Sequence, residues 1–137
     1  RCGGVTADLF PSPDEVAEFI AAVVDTGLPF KATAGLHQPI RHWDAGMGVT
    51  CHGFVNLLMA TAAAAEGRDG STVAAIVAEE DPEAFSVSAA LASWRDVHIP
   101  GSAMRRVRQR RFVAYGSCDF DEPIDALIDL GMLGDGS

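Results

Sequence analysis

Phe30-Lys31-Ala32-Thr33-Ala34-Gly35 decides how the chain is read. It lies between two stretches with helical patterning and reads as a short buried strand closed by a glycine turn. Ala and Lys are poor strand formers, so position rather than propensity carries that assignment. Upstream, Ser12-Pro13-Asp14-Glu15 is a helix start. Ser12 caps, Pro13 suits the first helical position and Glu15 completes a capping box. Val16, Phe19, Ile20, Val23 and Val24 then recur at i, i+3, i+4, i+7 and i+8 as one apolar stripe. Gly27 stops the helix and Pro29 prevents its resumption.

Downstream of the strand, a polar, glycine-containing loop runs from Leu36 to Cys51. His52 to Glu66 reads as a helix that is apolar on most of its surface, so it should be buried on more than one side. Gly67 ends it. Ser71 is expected to cap a further helix through Glu79, and Asp81-Pro82-Glu83 to start a short one. Within 86–104, Ala89 to Trp94 reads as helical and Ile99-Pro100-Gly101 as a turn. Residues 103–110 read as a solvated helix and Arg111 to Gly116 as a strand. Asp121-Glu122-Pro123 opens a last helix with Ile124, Leu127 and Ile128 inward.

The implied class is α/β, with parallel strands alternating with helices in right-handed βαβ units. Cys2-Gly3-Gly4, Thr33-Ala34-Gly35 and Gly116-Ser117-Cys118 would end the strands on one edge, where such folds bind ligands. A complete eight-stranded barrel needs ~250 residues. Residues 1–137 are therefore expected to be a single α/β domain or the C-terminal part of a (β/α)8-barrel-like domain. The opening on a Gly-Gly turn, without Met, fits a segment of a longer chain.

Composition bounds the function. The chain has 10 Lys+Arg against 19 Asp+Glu, a formal net charge of -9, which disfavours nucleic acid as a partner. At 48% hydrophobic it can build a core and is not globally disordered. No apolar run reaches the ~18–20 residues of a membrane span, so no membrane association is expected. No apolar signal segment follows Arg1. The odd cysteine count (Cys2, Cys51, Cys118) argues against a disulfide framework and for a reducing cytoplasm.

Nine of the ten basic residues are Arg and one is Lys. Arg cannot deprotonate, so a lone strand lysine suggests a position where Arg will not serve. A lysine among apolar neighbours can lose its proton and attack a carbonyl to form a Schiff base. A strand-end lysine snorkelling to solvent is the alternative. Thr33, two residues on, shares its face of the strand and could orient substrate or water. His37 would transfer protons, and Arg41 would hold a carboxylate or phosphate. Gly3, Gly4, Gly116 and Ser117 would form anion-binding turns. His52 is expected to pack or cap, and His98 has no role.

A metal set could be drawn from Cys51, His52, Cys118 and His37. Neither C-x-x-C nor H-x-x-x-H spacing occurs, so no metal is expected, and no common nucleotide loop or other cofactor motif is present. The run Arg105, Arg106, Arg108, Arg110 and Arg111 lacks interleaved aromatics and reads as a solvated face or subunit contact rather than an RNA patch.

The stretch from Phe30 to Leu36 resembles the Lys-Thr-Ser-Thr-Gly-Phe strand of deoxyribose-phosphate aldolases, at Lys31 and Gly35, with Thr33 for the family's Ser and departures at Ala32 and Ala34. The resemblance implies a barrel and a Schiff-base role for Lys31. Arg1-Cys2-Gly3-Gly4, Lys31 to His37 and Gly116 to Phe120 together resemble an uncharacterised bacterial family, which implies no activity. Two functions stay open. One is a metabolic enzyme of aldolase or lyase type acting on a small carbonyl or phosphorylated substrate. The other is a non-catalytic α/β domain assembling as a homo-oligomer, with a partner, or with a missing N-terminal segment through the apolar helix 52–66.

Overall fold

The computed structural model describes residues 1–4, 6–33, 36 and 38–115. The expected last helix, and the Gly116-Ser117-Cys118 turn before it, lie outside the described residues.

Helix α1 is Pro13–Thr26 and forms as its sequence dictates. The Glu15 N–H donates to Ser12 Oγ at 3.2 Å, and the Ser12 N–H donates back to Glu15 at 3.4 Å. Gly27 closes the helix in the left-handed region at φ 72°, where a side chain would be strained. Val16 and Ile20 of the apolar stripe are buried, but Phe19 is 52% exposed.

Helix α2, Phe54–Ala65, is the hub of the molecule. Most of its residues are buried, as expected for a helix apolar all round. Helix α3 is Gly70–Ala78. Its cap is Asp69 rather than Ser71, with the carboxylate accepting from the Thr72 N–H at 2.8 Å and from the Ser71 hydroxyl at 3.0 Å. Helix α4 is Gly101–Arg110, with Ala103, Met104 and Val107 buried and its arginines outward. Helices α1, α3 and α4 all pack against α2. The apolar surface that suggested an unpartnered assembly helix is thus covered within the chain.

The strands correct the expected class. Strands β1 (Phe30–Ala32) and β7 (Phe112–Tyr115) do pair in parallel. The other two sheets among the described residues are antiparallel. One is the hairpin of β2 (His42–Asp44) and β3 (Val49–Cys51), in the stretch read as loop. The other is a meander of β4 (Phe85–Val87), β5 (Leu91–Trp94) and β6 (Val97–Pro100), where 89–94 read as helix. Parallel strands alternating with helices do not describe this chain, and it does not look like a (β/α)8 barrel. The reason lies in the connections, which are residues 45–48, 88–90 and 95–96. A parallel return needs a crossover of about a dozen residues or more, so links this short pair strands antiparallel. The turn at Arg95-Asp96 has Arg95 at φ 48°, as a two-residue hairpin turn of matching twist requires.

Gly101, where β6 runs into α4, is a position of close approach. Its N–H donates to the Ala90 carbonyl at 2.8 Å, and a Cβ there would collide with the Ala89 carbonyl oxygen.

One buried amide joins these elements. Asn56 on α2 is fully buried. Its Oδ1 accepts the Arg41 N–H at 2.9 Å, and its Nδ2 donates to the Ile76 and Glu79 carbonyls, both at 2.8 Å. Asn56→Leu, close in volume, would leave the Arg41 N–H and the Glu79 carbonyl without the amide that binds them, while the Ile76 carbonyl keeps the Glu79 N–H. We expect it to cost about 2 kcal/mol or more, since each orphaned buried group costs ~1–3 kcal/mol. A urea denaturation midpoint lowered accordingly, at unchanged m-value, is the measurement.

Candidate functional site

Lys31 is exposed on β1, not enclosed among apolar neighbours. It borders a cavity of about 190 Å³ between α1 and β1. Arg1 and Lys31 bring positive charge to its lining and Glu15 negative charge, while Phe19, Ile20 and Phe30 supply apolar wall. Phe19 meets Phe30 edge-on, with centroids 5.5 Å apart at 88°, which holds the aromatic side of the cavity in one geometry. The segment before α1 reaches this place because the Cys2 N–H donates to the Thr33 carbonyl at 2.8 Å, continuing alongside β1. Cys2 is buried at the cavity, and burial pushes its thiol up from the ordinary value.

The other expected site residues do not all gather here. Thr33 is half-buried just beyond β1. Gly3 and Gly4 stand where a side chain would collide with its neighbours. The Phe10 ring lies 2.6 Å from where a Gly3 Cβ would sit, and Leu9 covers Gly4. Arg41 is not among the residues that line the cavity, and its Nη1 meets His52 Nδ1 at 3.0 Å. His37, Gly116 and Ser117 lie outside the described residues. Sequence reasoning missed Arg1, Glu15 and Phe19 as cavity residues. The signal for Phe19 was its place at the edge of the α1 stripe; for Arg1 there was none.

A second polar centre sits at the base of the β2–β3 hairpin. His52 is fully buried, with Nε2 2.7 Å from the Pro11 carbonyl. A carbonyl only accepts, so Nε2 carries the proton and Nδ1 receives the Arg41 guanidinium N–H. Burial lowers the imidazole's affinity for a second proton. The Pro11 bond works the other way, and the nearby Arg41 charge adds to the lowering. Both ring nitrogens are committed, so His52 ties the segment before α1 to the hairpin and is unavailable to a metal. Burial likewise lowers Arg41, which the Glu80 and Cys51 charges oppose.

On the hairpin itself, one ring nitrogen of His42, a carboxylate oxygen of Asp44 and Sγ of Cys51 all lie within 4.8 Å of one another. Cys51 is buried, while His42 and Asp44 are half-buried. Burial raises the Cys51 thiol, as does Asp44, and Arg41 pulls it back.

A third cluster secures the meander. Glu79 accepts from Trp94 Nε1 at 3.0 Å and from Arg95 Nε at 2.8 Å. Arg95 stacks over the Trp94 ring, 5.6 Å from its centroid. Burial pushes the Glu79 carboxyl up, but hydrogen bonds from Asp81, Arg95 and Trp94 prevail and hold it low. Of the arginine run, Arg106 reaches Glu66 at 3.8 Å and Arg111 donates to the Gly27 carbonyl at 3.1 Å.

No helix of the described residues is long and apolar enough to cross a membrane. No family model, curated protein or solved structure matches the chain. The aldolase resemblance implied a barrel. The antiparallel sheets remove that scaffold, and no match supports a lyase or aldolase activity.

Because His52 binds its second proton less readily folded than unfolded, the unfolded chain takes up the extra proton as pH falls through about 6.5. Stability is therefore complete above that value and declines on acidification. Urea midpoints should fall between pH 7.5 and 5.5, with a shallower fall in His52→Gln. The Glu79 contribution is lost separately, at lower pH, once its depressed carboxyl is protonated.

Proposed function

We propose that the chain binds a small metabolite carrying a carboxylate or phosphate in the cavity between α1 and β1. The observation that carries the proposal is an apolar cavity of about 190 Å³ bordered by Arg1 and Lys31. An enclosed space of ~150 Å³ already accommodates benzene, so the cavity has the scale of a metabolite of that bulk rather than of a nucleotide. Lys31 and Arg1 would hold the anionic group, and the Phe19 and Phe30 rings would cover its apolar part. Glu15 would favour ligands that also bear an amine. In a chain of net charge -9, an anionic ligand is repelled over most of the surface, so a local cationic rim is what makes its binding feasible.

In this role Lys31 acts by charge and by donating hydrogen bonds, with no covalent step. A charged hydrogen bond is worth ~1.5–3 kcal/mol, so Lys31→Met should weaken binding by about tenfold or more. Phe19→Ala should weaken it too, while Lys31→Arg should retain most of the affinity. The check is a calorimetric titration of the whole chain with a panel of small carboxylates, amino acids and phosphate monoesters. Binding that Lys31→Met leaves untouched, or no binding across the panel, would sink the proposal.

A further inference from the structure

The β2–β3 hairpin carries three metal-ligating residue types on one face. His42 pairs directly with Cys51 across the strands. Side chains of directly opposed residues share a face, and so do residues two apart along a strand. Asp44 therefore joins the same face as His42 and Cys51. We propose that His42, Asp44 and Cys51 form a binding site for a borderline-soft divalent transition-metal ion, zinc foremost.

The donor set selects the metal class. A thiolate, an imidazole and a carboxylate suit zinc and its first-row neighbours, whereas calcium and magnesium require several oxygen ligands. Ligand atoms around tetrahedral zinc stand roughly 3.3–3.8 Å apart, given bonds of ~2.0–2.3 Å. The three groups lie within 4.8 Å, so side-chain rotation of about an ångström closes the set without moving the backbone.

Three local features fit that use. His42 Nδ1 lies 3.2 Å from the Ile40 carbonyl. Donation there fixes the tautomer and leaves the Nε2 lone pair free, the orienting bond that metal-bound histidines make. Asp44 Oδ1 accepts the Met47 N–H at 3.1 Å, which orients the carboxylate and leaves its second oxygen. Cys51 is 4% exposed and stands outside the contiguous apolar cluster of the core, on the hairpin face that carries His42 and Asp44.

The hairpin is also held rigidly from below. The Arg41 N–H is bound by Asn56 and the Arg41 guanidinium by His52, one residue before β2 and one after β3. A site on a fixed base loses little entropy when the ion arrives. On binding, the Cys51 thiol gives its proton to solvent and forms the metal–sulfur bond. Thiolate and carboxylate then neutralise the dication, so Arg41 faces no net charge. Three protein ligands leave a fourth position to water, the arrangement of zinc sites that act on substrates.

The test uses the whole reduced chain, stripped with a chelator and titrated with Co2+. One equivalent should produce a thiolate-to-cobalt charge-transfer band that Zn2+ abolishes by displacement and that excess Mg2+ leaves intact. Cys51→Ser should remove the band, while Cys2→Ser and Cys118→Ser keep it. His42→Ala and Asp44→Asn should each weaken binding at least tenfold; both positions are half-buried at the surface and should fold normally by circular dichroism. If Cys51→Ser fails to fold, these two variants decide alone. No band at one equivalent, a band that survives in folded Cys51→Ser, or affinity unchanged by both surface variants overturns the site.

Discussion

The side chain of Asn56 is the constraint on which the rest of the structure depends. An amide on the most buried helix would cost several kcal/mol if left dry and unpaired. Here it is fully satisfied, and the groups that satisfy it come from two other places in the chain. Its oxygen accepts the Arg41 N–H, and its nitrogen donates to the Ile76 and Glu79 carbonyls at the end of α3. Hydrophobic burial alone would let α2 slide or rotate among its neighbours, since an all-apolar surface has no preferred face. The directional bonds of one amide remove that freedom.

From Asn56 the order propagates in two directions. Toward the C-terminus, the Glu79 carbonyl is bound to Asn56 while its carboxylate is bound to Trp94 and Arg95, so one residue couples α3 to the meander. In the other direction, Arg41 is bound by Asn56 through its backbone and meets His52 through its side chain. His52 in turn holds the Pro11 carbonyl, just before the α1 cap. The cavity beside α1 and the hairpin face beyond Arg41 are thus positioned by the same chain of polar bonds. Removing a link in such a network costs more than one hydrogen bond, because its partners remain buried.

The local signals of α1 and α2 are legible in the sequence, while the α3 cap falls on Asp69 and not on the expected Ser71. Ser12, Pro13, Glu15 and Gly27 each do what their chemistry dictates, and the apolar run around α2 marked the centre of the core. The sheets were not legible as parallel or antiparallel from strand patterns alone. Strands of three or four residues carry too few alternating positions to separate from a helix turn, and Ala89–Trp94 was misread for that reason. The deciding information was connection length. Asp44-Ala45-Gly46-Met47-Gly48, with Gly48 at φ 66°, is a turn between two strands that are too short and too polar to stand out from a loop in the sequence. The same shortness hid the His42–Cys51 pair. Searching for C-x-x-C or H-x-x-x-H looks for ligands brought together by a helix turn or a tight loop, whereas a hairpin brings together residues nine apart in sequence. His52, adjacent to Cys51 and superficially the better ligand, is consumed by the framework.

The imbalance between arginine and lysine follows from the same physics. Arg41, Arg95, Arg105 and Arg111 each bond a group elsewhere in the chain: an imidazole nitrogen, a carboxylate, or a backbone carbonyl. A planar fork of fixed donors can serve such tasks while part of it remains in water, and it stacks on an aromatic ring, as over Trp94. A lysine in those positions would offer one compact, strongly hydrated charge and lose most of that geometry. Where the framework needs cations, arginine is therefore the residue that fits. Lys31 stands apart because it is not part of the framework. It sits exposed at the cavity lining, on a strand held by backbone pairing to β7, so its ammonium is free to turn toward whatever enters.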